Sequence, residues 1–269
     1  MKLSICMAYY NRPEFLRRTL QAYYNISKSI IKDCEFIIVD DKSSIDALAK
    51  PIANEFKDKL NITVFDRIDK DDINPAVAIN LSVKLATSDT ILITCPETMP
   101  GTSFIEHILN RDIKNNEYIL VPCYSISQEI QNKINLIPLD DENYIKHILE
   151  IITINPISHK FAGGDGWYSH PIYRPALFYF CATLKRKYFL EMDGIDEDFR
   201  YGWGYEDTDF VRRLQLRNPT ITWLDSELCL HQNHYTNNAS RPNQVQVEGT
   251  IRNKKLYENK EKLKKWKVL

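Results

Sequence analysis

Residues 4–20 read SICMAYYNRPEFLRRTL and contain the strand-to-helix transition that decides the fold. The apolar run from Lys2 to Tyr9 predicts a buried β-strand, which ends at Asn11-Arg12-Pro13. Pro13 suits the first turn of a helix, because its missing N–H would be unpaired there. Apolar residues at helical spacing then follow, so the stretch predicts one strand that leads directly into one helix.

The same alternation continues to about residue 100. Buried strands are predicted at residues 35–39, 61–65 and 90–94, and helices at residues 45–59 and 76–87. Strands that alternate with helices predict parallel βαβ units. We therefore expect an α/β fold in a single domain, with a mixed, mostly parallel, Rossmann-like sheet flanked by helices.

The second half of the chain is less regular. Strands are predicted at residues 117–121, 176–184, 221–224 and 228–230, and a helix at residues 142–152. No repeat, low-complexity tract or linker divides this half from the first. Both halves are therefore expected to belong to one domain.

Composition excludes several classes of protein. The net charge of −1 gives no general attraction to nucleic acid, so no nucleic-acid partner is expected. The six cysteines form no CxxC pair, which predicts reduced thiols in a cytoplasmic protein. No apolar run approaches the roughly 18 residues that span a bilayer. The protein is expected to be cytoplasmic, or peripheral at the inner face of the membrane.

Polar side chains follow three of the predicted strands. Tyr10 follows the first strand, Asp40 and Asp41 follow the second, and Glu97 follows the strand at residues 90–94. Ligands of open α/β sheets bind beyond the carboxyl ends of the strands, so these side chains are candidates for one site. Tyr10 could stack on a nucleobase and the aspartates could bind base or ribose. A turn for the aspartates and plain packing for the tyrosine remain alternatives.

Residues 192–214 read MDGIDEDFRYGWGYEDTDFVRRL and are rich in acidic residues. Gly202-Trp203-Gly204 interrupts helix formation, and a helical pattern begins after Tyr205. Its first turn carries Glu206 and Asp207, where carboxylates are favoured by the unpaired N–H groups. The stretch is consistent with a site in which one acid accepts a proton. A capped surface helix explains the acids equally well.

Three further features leave alternatives open. Glu97 and His231 could hold Mn²⁺ or Mg²⁺ with diphosphate oxygens, whereas a solvated histidine is the ordinary alternative. The glycine-rich, aromatic residues 161–170 predict either a loop that closes over a ligand or a plain connector. The lysine-rich residues 252–269 predict a basic helix, resting on a membrane surface or docked on the domain.

Known nucleotide-binding and hydrolase motifs are missing from the chain. It contains no GxGxxG, no P-loop, no HExxH and no GxSxG. These absences count against nicotinamide-dependent, simple NTPase, zincin and hydrolase functions.

Taken together, the motifs of the first half resemble those of GT-A fold glycosyltransferases of family 2. SICMAYYNRPEFLRRTL is similar to that family's first strand and helix, in which the tyrosine before the asparagine stacks on the base; here it is Tyr10. FIIVDDKSS resembles the family's VDDGS, whose aspartates bind uracil and ribose, which implies those roles for Asp40 and Asp41. The resemblance also implies that Ala8 and Arg12 bind the nucleotide sugar.

The second half resembles the C-terminal domain of family 7 galactosyltransferases. CATLKRKYFLEMDGIDEDF followed by YGWGYEDTDFVRRL is similar to the run GxDExFxGWGxEDxDxxxRL. The resemblance implies that Trp203 and Gly204 line the donor sugar and acceptor. It implies that Asp207, with Glu206 beside it, supplies the catalytic base. This is the most specific match in the chain.

Two segments depart from the families' patterns. INPAVAINLSVKLA resembles FNRAxxxNxGxxxA of family 7 and implies a donor contact by Asn80, but proline and serine replace its arginine and glycine. ILITCPETMP aligns with ILFLDADxxP, so Cys95 takes the place of the first aspartate of the metal-binding DxD motif and Glu97 that of the second. His231 falls where related enzymes place a metal-binding histidine, with His234 as the fallback.

These resemblances imply an inverting glycosyltransferase, transferring a hexosyl or N-acetylhexosaminyl group from a nucleotide sugar, with UDP as the expected nucleotide, to a glycan acceptor. Residues 1–100 would form the nucleotide-binding half and residues 101–250 the acceptor-binding and catalytic half, with residues 251–269 as a basic C-terminal helix. A non-catalytic sugar-nucleotide or glycan-binding module is the alternative. A nucleotidyltransferase is less consistent with the sequence, because only Arg12 offers a basic group after the first strand.

Overall fold

The computed structural model describes residues 1–154, 165–234 and 244–263. Its strands, numbered in chain order, are β1 (Leu3–Tyr9), β2 (Cys34–Asp40), β3 (Ile62–Asp66), β4 (Thr90–Thr94), β5 (Thr98–Pro100), β6 (Glu117–Leu120), β7 (Cys123–Ser125), β8 (Gly166–Ser169), β9 (Ala182–Lys185), β10 (Thr220–Trp223) and β11 (Cys229–His231). Its α-helices are α1 (Pro13–Ser27), α2 (Ala49–Glu55), α3 (Ala76–Leu85), α4 (Phe104–Leu109), α5 (Gln128–Ile134), α6 (Tyr144–Ile151), α7 (Arg186–Glu191), α8 (Glu206–Leu216) and α9 (Gln244–Leu263).

The larger of two sheets has seven strands in the order β10-β6-β9-β4-β1-β2-β3. All neighbours pair in parallel except β9, which runs antiparallel to both β4 and β6. β1 and β2 lie inside the sheet, and nearly all their residues are buried, which is typical of parallel strands covered on both faces. The predicted mixed, mostly parallel sheet flanked by helices is confirmed.

A smaller sheet has the strand order β5-β11-β7-β8. In the chain, β5 follows β4 and β7 follows β6. The sequence did not predict this sheet, because its strands are only three or four residues long. β11 pairs with both β5 and β7, and this pairing places His231 opposite Thr98. The small sheet thereby brings the last predicted strand next to the segment that follows β4.

Two predicted elements differ from the structure. The helix expected at residues 45–59 is a 3₁₀ turn at Ile45–Ala47 and then the short helix α2, which starts where Asp40 Oδ2 accepts the N–H of Ala49 at 2.8 Å. The strand expected at residues 176–184 is formed only at β9. Cys181 has a φ of +57°, in the left-handed region, and this conformation ends the extended run before the strand begins.

The C-terminal helix α9 begins at Gln244, ahead of the predicted start at residue 251, and residues 264–269 lie outside the described part of the chain. Among the described residues, no helix is both long enough and apolar enough to cross a bilayer.

Candidate active site

A cavity of about 390 Å³ opens at the carboxyl ends of β1, β2 and β4. It is lined by Ala8, Tyr9, Tyr10, Arg12, Asp41, Lys70, Ile73, Asn74, Pro75, Ile79, Thr94, Cys95, Pro96, Glu97, Tyr168, Tyr179, Phe180, Trp203, Gly204, Glu206, Asp207 and His231. Ten of the twelve site residues predicted from the sequence are in this set; Asp40 and Asn80 are not. The cavity therefore joins residues from both halves of the chain.

On one side of the cavity, Tyr10 is 49% exposed just after β1. The ammonium of Lys70 lies 3.9 Å from the centroid of its ring and 2.8 Å from Asp41 Oδ2. Arg67 donates to the other oxygen, Oδ1 of Asp41, at 2.7 Å and also pairs with Asp72. Asp41 is thus a buried carboxylate held between two cations, beside an exposed aromatic ring.

Sequence reasoning missed Lys70 and Arg67. Both lie in the charged segment that follows β3, at the same edge of the sheet as Asp41. The rule that ligands bind at the carboxyl ends of parallel strands would have included this segment, had it been applied to β3 as well as to the other strands.

The structure places Asp40 and Asn80 in structural contacts outside the cavity lining. Asp40 accepts backbone N–H groups from Ser43 at 2.9 Å and Ala49 at 2.8 Å, which orders the connection after β2. Asn80 exchanges two hydrogen bonds of 2.8 Å with the backbone N–H and C=O of Ile195. It thereby ties α3 to the segment that leads into the acidic turn.

On another side of the cavity, Glu97 pairs with Arg12, with 2.5 Å between Oε1 and Nε. Burial acts to raise the pKa of Glu97, but the charges of Arg12 and the two nearby histidines outweigh it and lower the pKa below its usual value. Burial lowers the pKa of His231 to about 3. Burial also raises the pKa of the Cys95 thiol far above its usual value, so Cys95 carries no charge at the position of the missing aspartate.

The donor atoms of Glu97 and His231 suit a divalent cation, since an ionised carboxylate and a neutral imidazole are both ligands of Mn²⁺. In residues 1–154, 165–234 and 244–263, no group of three or more His, Cys, Asp or Glu side chains could hold a metal ion. A cation here would need its remaining ligands from diphosphate and water, as Mg²⁺ commonly does. The side chains fit such a shared site, although Arg12 already neutralises Glu97.

Opposite these groups, the turn at residues 200–205 leads into α8. Gly204 and Tyr205 both have left-handed backbones, with φ of +73° and +70°. A Cβ on Gly204 would meet no atom within 4 Å, so the backbone conformation, rather than crowding, favours glycine there. Trp203 is 47% exposed between the glycines and lines the cavity.

The first turn of α8 presents Glu206 and Asp207 to the cavity. Burial, and then the charge of Asp207, raise the pKa of Glu206 to about 7. Burial also raises the pKa of Asp207, opposed by the N–H and hydroxyl of Thr208 and by Arg174. Glu206 Oε2 is buried with no hydrogen-bond partner among the described residues. Two adjacent carboxyls with raised pKa values in a cavity are typical of functional sites.

Arg213 ties α8 to the segment before it. Within the helix, Arg213 and Asp209 pair at 2.7 Å with side chains at most 1% exposed. Arg213 also donates to the carbonyls of Met192 at 2.6 Å and Gly194 at 2.8 Å. These hydrogen bonds hold the helix that carries Glu206 and Asp207 against residues 192–194.

Of the predicted loop at residues 161–170, residues 161–164 lie outside the described part of the chain. Trp167 is buried and packs edge-on against Tyr124. Tyr168 lines the cavity and stacks on His231, with ring centroids 4.8 Å apart. Phe180 lies against Tyr168 at 4.4 Å. Two aromatic rings, Tyr168 and Phe180, therefore line the cavity beside His231.

The chain belongs to glycosyl transferase family 2, whose model matches residues 4–173. A second model, described as the N-terminal domain of galactosyltransferase, matches residues 180–236, which include the acidic turn and its helix. The predicted resemblance to both families is confirmed. A comparison with curated protein sequences finds no match.

Several solved structures have a similar fold. S. aureus TarS 1-349 superposes with a TM-score of 0.59 at 14% identity, over 86% of this chain and 60% of that one. GalNAc-T7 with UDP, GalNAc and Mn²⁺ gives 0.59 at 12% identity, over 95% and 48%. The mannosyltransferase PcManGT from Pyrobaculum calidifontis, in complex with GDP-Man and Mn²⁺, gives 0.53 at 12% identity, over 86% and 56%. The likeness shows a shared GT-A fold, and this chain spans 60% or less of each of these structures.

Proposed function

We propose that this protein is an inverting glycosyltransferase that moves a sugar from a UDP-sugar to a hydroxyl group of a glycan acceptor. The observation that carries the proposal is the cavity itself. Its lining offers an exposed aromatic ring and cationic side chains, Tyr10, Arg12 and Lys70, which suit a base and a diphosphate. The same lining offers a carboxylate pair, Glu206 and Asp207, and there is open space at Gly204.

In the proposed reaction, the acceptor oxygen forms a bond to the anomeric carbon while the bond from that carbon to the diphosphate breaks. The acceptor proton passes to Asp207, and the nucleoside diphosphate leaves with the electron pair. Attack from the face opposite the leaving group inverts the anomeric centre. A well-placed general base contributes on the order of 10²–10⁴-fold to the rate.

The electrostatics of the carboxyl pair favour Asp207 as the base. Glu206, with a pKa raised to about 7, retains a proton for much of its population at neutral pH. Burial raises the pKa of Asp207 as well, but Asp207 starts from the lower ordinary pKa, and the N–H of Thr208 at 2.6 Å opposes the rise. Asp207 is therefore the member of the pair that we assign as the base.

The leaving diphosphate requires positive charge. Arg12 and Lys70 both line the cavity and supply it from the protein itself. Glu97 and His231 would hold Mn²⁺ or Mg²⁺, which when bound supplies further stabilisation of the leaving charge. Arg12 would then be shared between Glu97 and the diphosphate.

For the donor nucleoside, the base would stack on Tyr10 while Asp41 accepts hydrogen bonds from the base or ribose. Lys70 and Arg67 pair with that carboxylate and hold its orientation. For the sugars, the rings of Tyr168, Phe180 and Trp203 offer apolar faces on which a pyranose can rest. These contacts are compatible with a hexosyl or an N-acetylhexosaminyl group.

We further propose that the reaction serves cytoplasmic polysaccharide biosynthesis.

The lysines on the exposed face of α9, among them Lys254, Lys255 and Lys262, support a weak contact with anionic lipid at the inner face of the membrane. Sedimentation with vesicles of phosphatidylglycerol would detect it, and no greater sedimentation than with phosphatidylcholine vesicles would contradict it.

A specific observation favours one alternative, a binding module that retains the fold without catalysis. Glu97 is already neutralised by Arg12, and Cys95 stands in place of an acid. Incubating the protein with a panel of UDP-hexoses and UDP-N-acetylhexosamines and Mn²⁺, and measuring released UDP, separates the two. Release above that of the Asp207→Asn variant supports the enzyme, whereas donor binding without any release supports the module.

A further inference from the structure

The helix α9 packs along the whole turn that carries Trp203. In the middle of the helix, Arg252 donates to the carbonyl of Asp198 at 3.2 Å. Towards its C-terminal end, Lys260 pairs with Asp196 and also with Asp198. Glu261 pairs with Arg212 of α8 at 3.3 Å. The helix thus contacts residues on both sides of the turn in sequence, the acidic segment before it and α8 after it.

Next to Arg252, Asn253 is fully buried and binds the turn directly. Its Nδ2 donates to the carbonyl of Phe199 at 2.8 Å and to the carbonyl of Gly204 at 3.0 Å. These carbonyls flank the turn on either side of Trp203. One amide therefore bridges the beginning and the end of the turn.

Two glycines allow the helix to approach this closely. A Cβ on Gly202 would lie 2.1 Å from the carbonyl oxygen of Gly249, and a Cβ on Gly249 would lie 2.9 Å from the Cα of Gly202. The two backbones are therefore in contact. On its other side, the turn receives a hydrogen bond from Asn74 Nδ2 to the carbonyl of Gly202 at 3.1 Å.

We propose that α9 holds the Trp203 turn in its cavity-facing position and that Asn253 is a positioning residue for the acceptor side of the site. The turn continues through the left-handed Tyr205 directly into Glu206 and Asp207. A shift of the turn therefore moves Trp203 together with the carboxyl groups of Glu206 and Asp207. The effect on turnover rests on the proposed function, whereas the effect on Trp203 does not.

The test compares Asn253→Ala with Asn259→Ala, an exposed asparagine of the same helix. Acrylamide quenching is measured in each variant with and without Trp203→Phe, because the difference isolates the emission of Trp203. We expect Trp203 to become more accessible in Asn253→Ala alone. Turnover of a UDP-sugar that the wild-type protein turns over should fall about tenfold or more, while the Kd for UDP changes less than about twofold, since a displaced group costs rate rather than nucleotide binding.

A second variant distinguishes displacement of the turn from a general loss of stability. Gly249→Ala leaves every polar group in place but forces the backbones of α9 and the turn apart. It should reproduce the change at Trp203. Leu60→Ala, a substitution in the hydrophobic core just before β3, should lower the melting temperature without changing Trp203 quenching.

Unchanged Trp203 accessibility in both folded variants would overturn the proposal. So would an equal fall in turnover in Asn259→Ala. If the wild-type protein releases no UDP from any donor, the proposed function fails, yet the quenching comparison still decides whether α9 positions the turn.

Discussion

The cavity has a proposed nucleoside side, at Tyr10 and Asp41, and a proposed catalytic side, at Trp203, Glu206 and Asp207. The two sides are built differently. The nucleoside side lies on the ends of buried parallel strands, and its charged groups are ordered by neighbours such as Arg67 and Lys70, which also follow a strand of the sheet. The catalytic side lies on an irregular turn with two left-handed residues. That turn depends on partners distant in sequence, Asn74 and Asn253. We therefore expect substitutions on the nucleoside side to change nucleotide affinity and substitutions on the catalytic side to change turnover.

The largest effect on stability is expected on the catalytic side. Arg213→Met leaves the carboxylate of Asp209 buried without its partner and frees the carbonyls of Met192 and Gly194. The free energy of unfolding should fall by about 3–5 kcal/mol. Urea unfolding measures it.

The neighbouring residue provides the control. Arg212→Met removes a more exposed ion pair with Glu261 and should cost no more than about 1 kcal/mol. Equal losses in the two variants would mean that the buried network does not hold α8.

The nucleoside side should respond through affinity alone. Tyr10→Ala removes the exposed ring on which a base would stack. It should weaken UDP binding by about 1–3 kcal/mol, measured by calorimetry. Tyr10→Phe keeps the ring and should keep the affinity. If both variants bind UDP like the wild-type protein, the base does not stack on Tyr10.

The proposed metal ligand Glu97 can be tested by measuring how Mn²⁺ changes the affinity for UDP. Glu97→Ala should remove the gain in UDP affinity produced by Mn²⁺, a change of at least about tenfold. Glu106→Ala, an exposed glutamate of α4, is the matched control. Calorimetry with Mn²⁺ and with a chelator gives the ratio for each protein. A wild-type affinity that is the same in both conditions would remove Glu97 from any metal site.

The smallest effect concerns pH. Because the folded protein raises the pKa of Glu206 from 4.5 to about 7, the folded state holds this proton more tightly than the unfolded chain. The resulting stabilisation is present below pH 4.5 and is lost as the pH rises through about 7. The melting temperature of Glu206→Gln should therefore fall less over this interval than that of the wild-type protein. If the melting temperatures of the two proteins fall in parallel with pH, the pKa of Glu206 is not raised in the folded protein.

The strands of the nucleoside side could be predicted from the sequence, whereas the contacts that support the catalytic turn could not, for a physical reason. Strands such as β1 and β2 can be recognised as local apolar runs. The chain direction then tells which residues lie at their carboxyl ends. Asp40 shows the limit of that reasoning, because only the folded structure reveals that Ala49 and Ser43 occupy its oxygens. The position of Asn253 depends on contacts across 49 and 54 residues, which no local pattern encodes.

The most direct test of the central claim is Asp207→Asn, assayed for UDP release from a donor that the wild-type protein turns over and for UDP affinity. The carboxamide keeps the shape of the side chain but cannot accept the acceptor proton. We expect turnover to fall by about 10²–10⁴-fold with UDP affinity retained. Turnover close to that of the wild-type protein would contradict the assignment of Asp207 as the base.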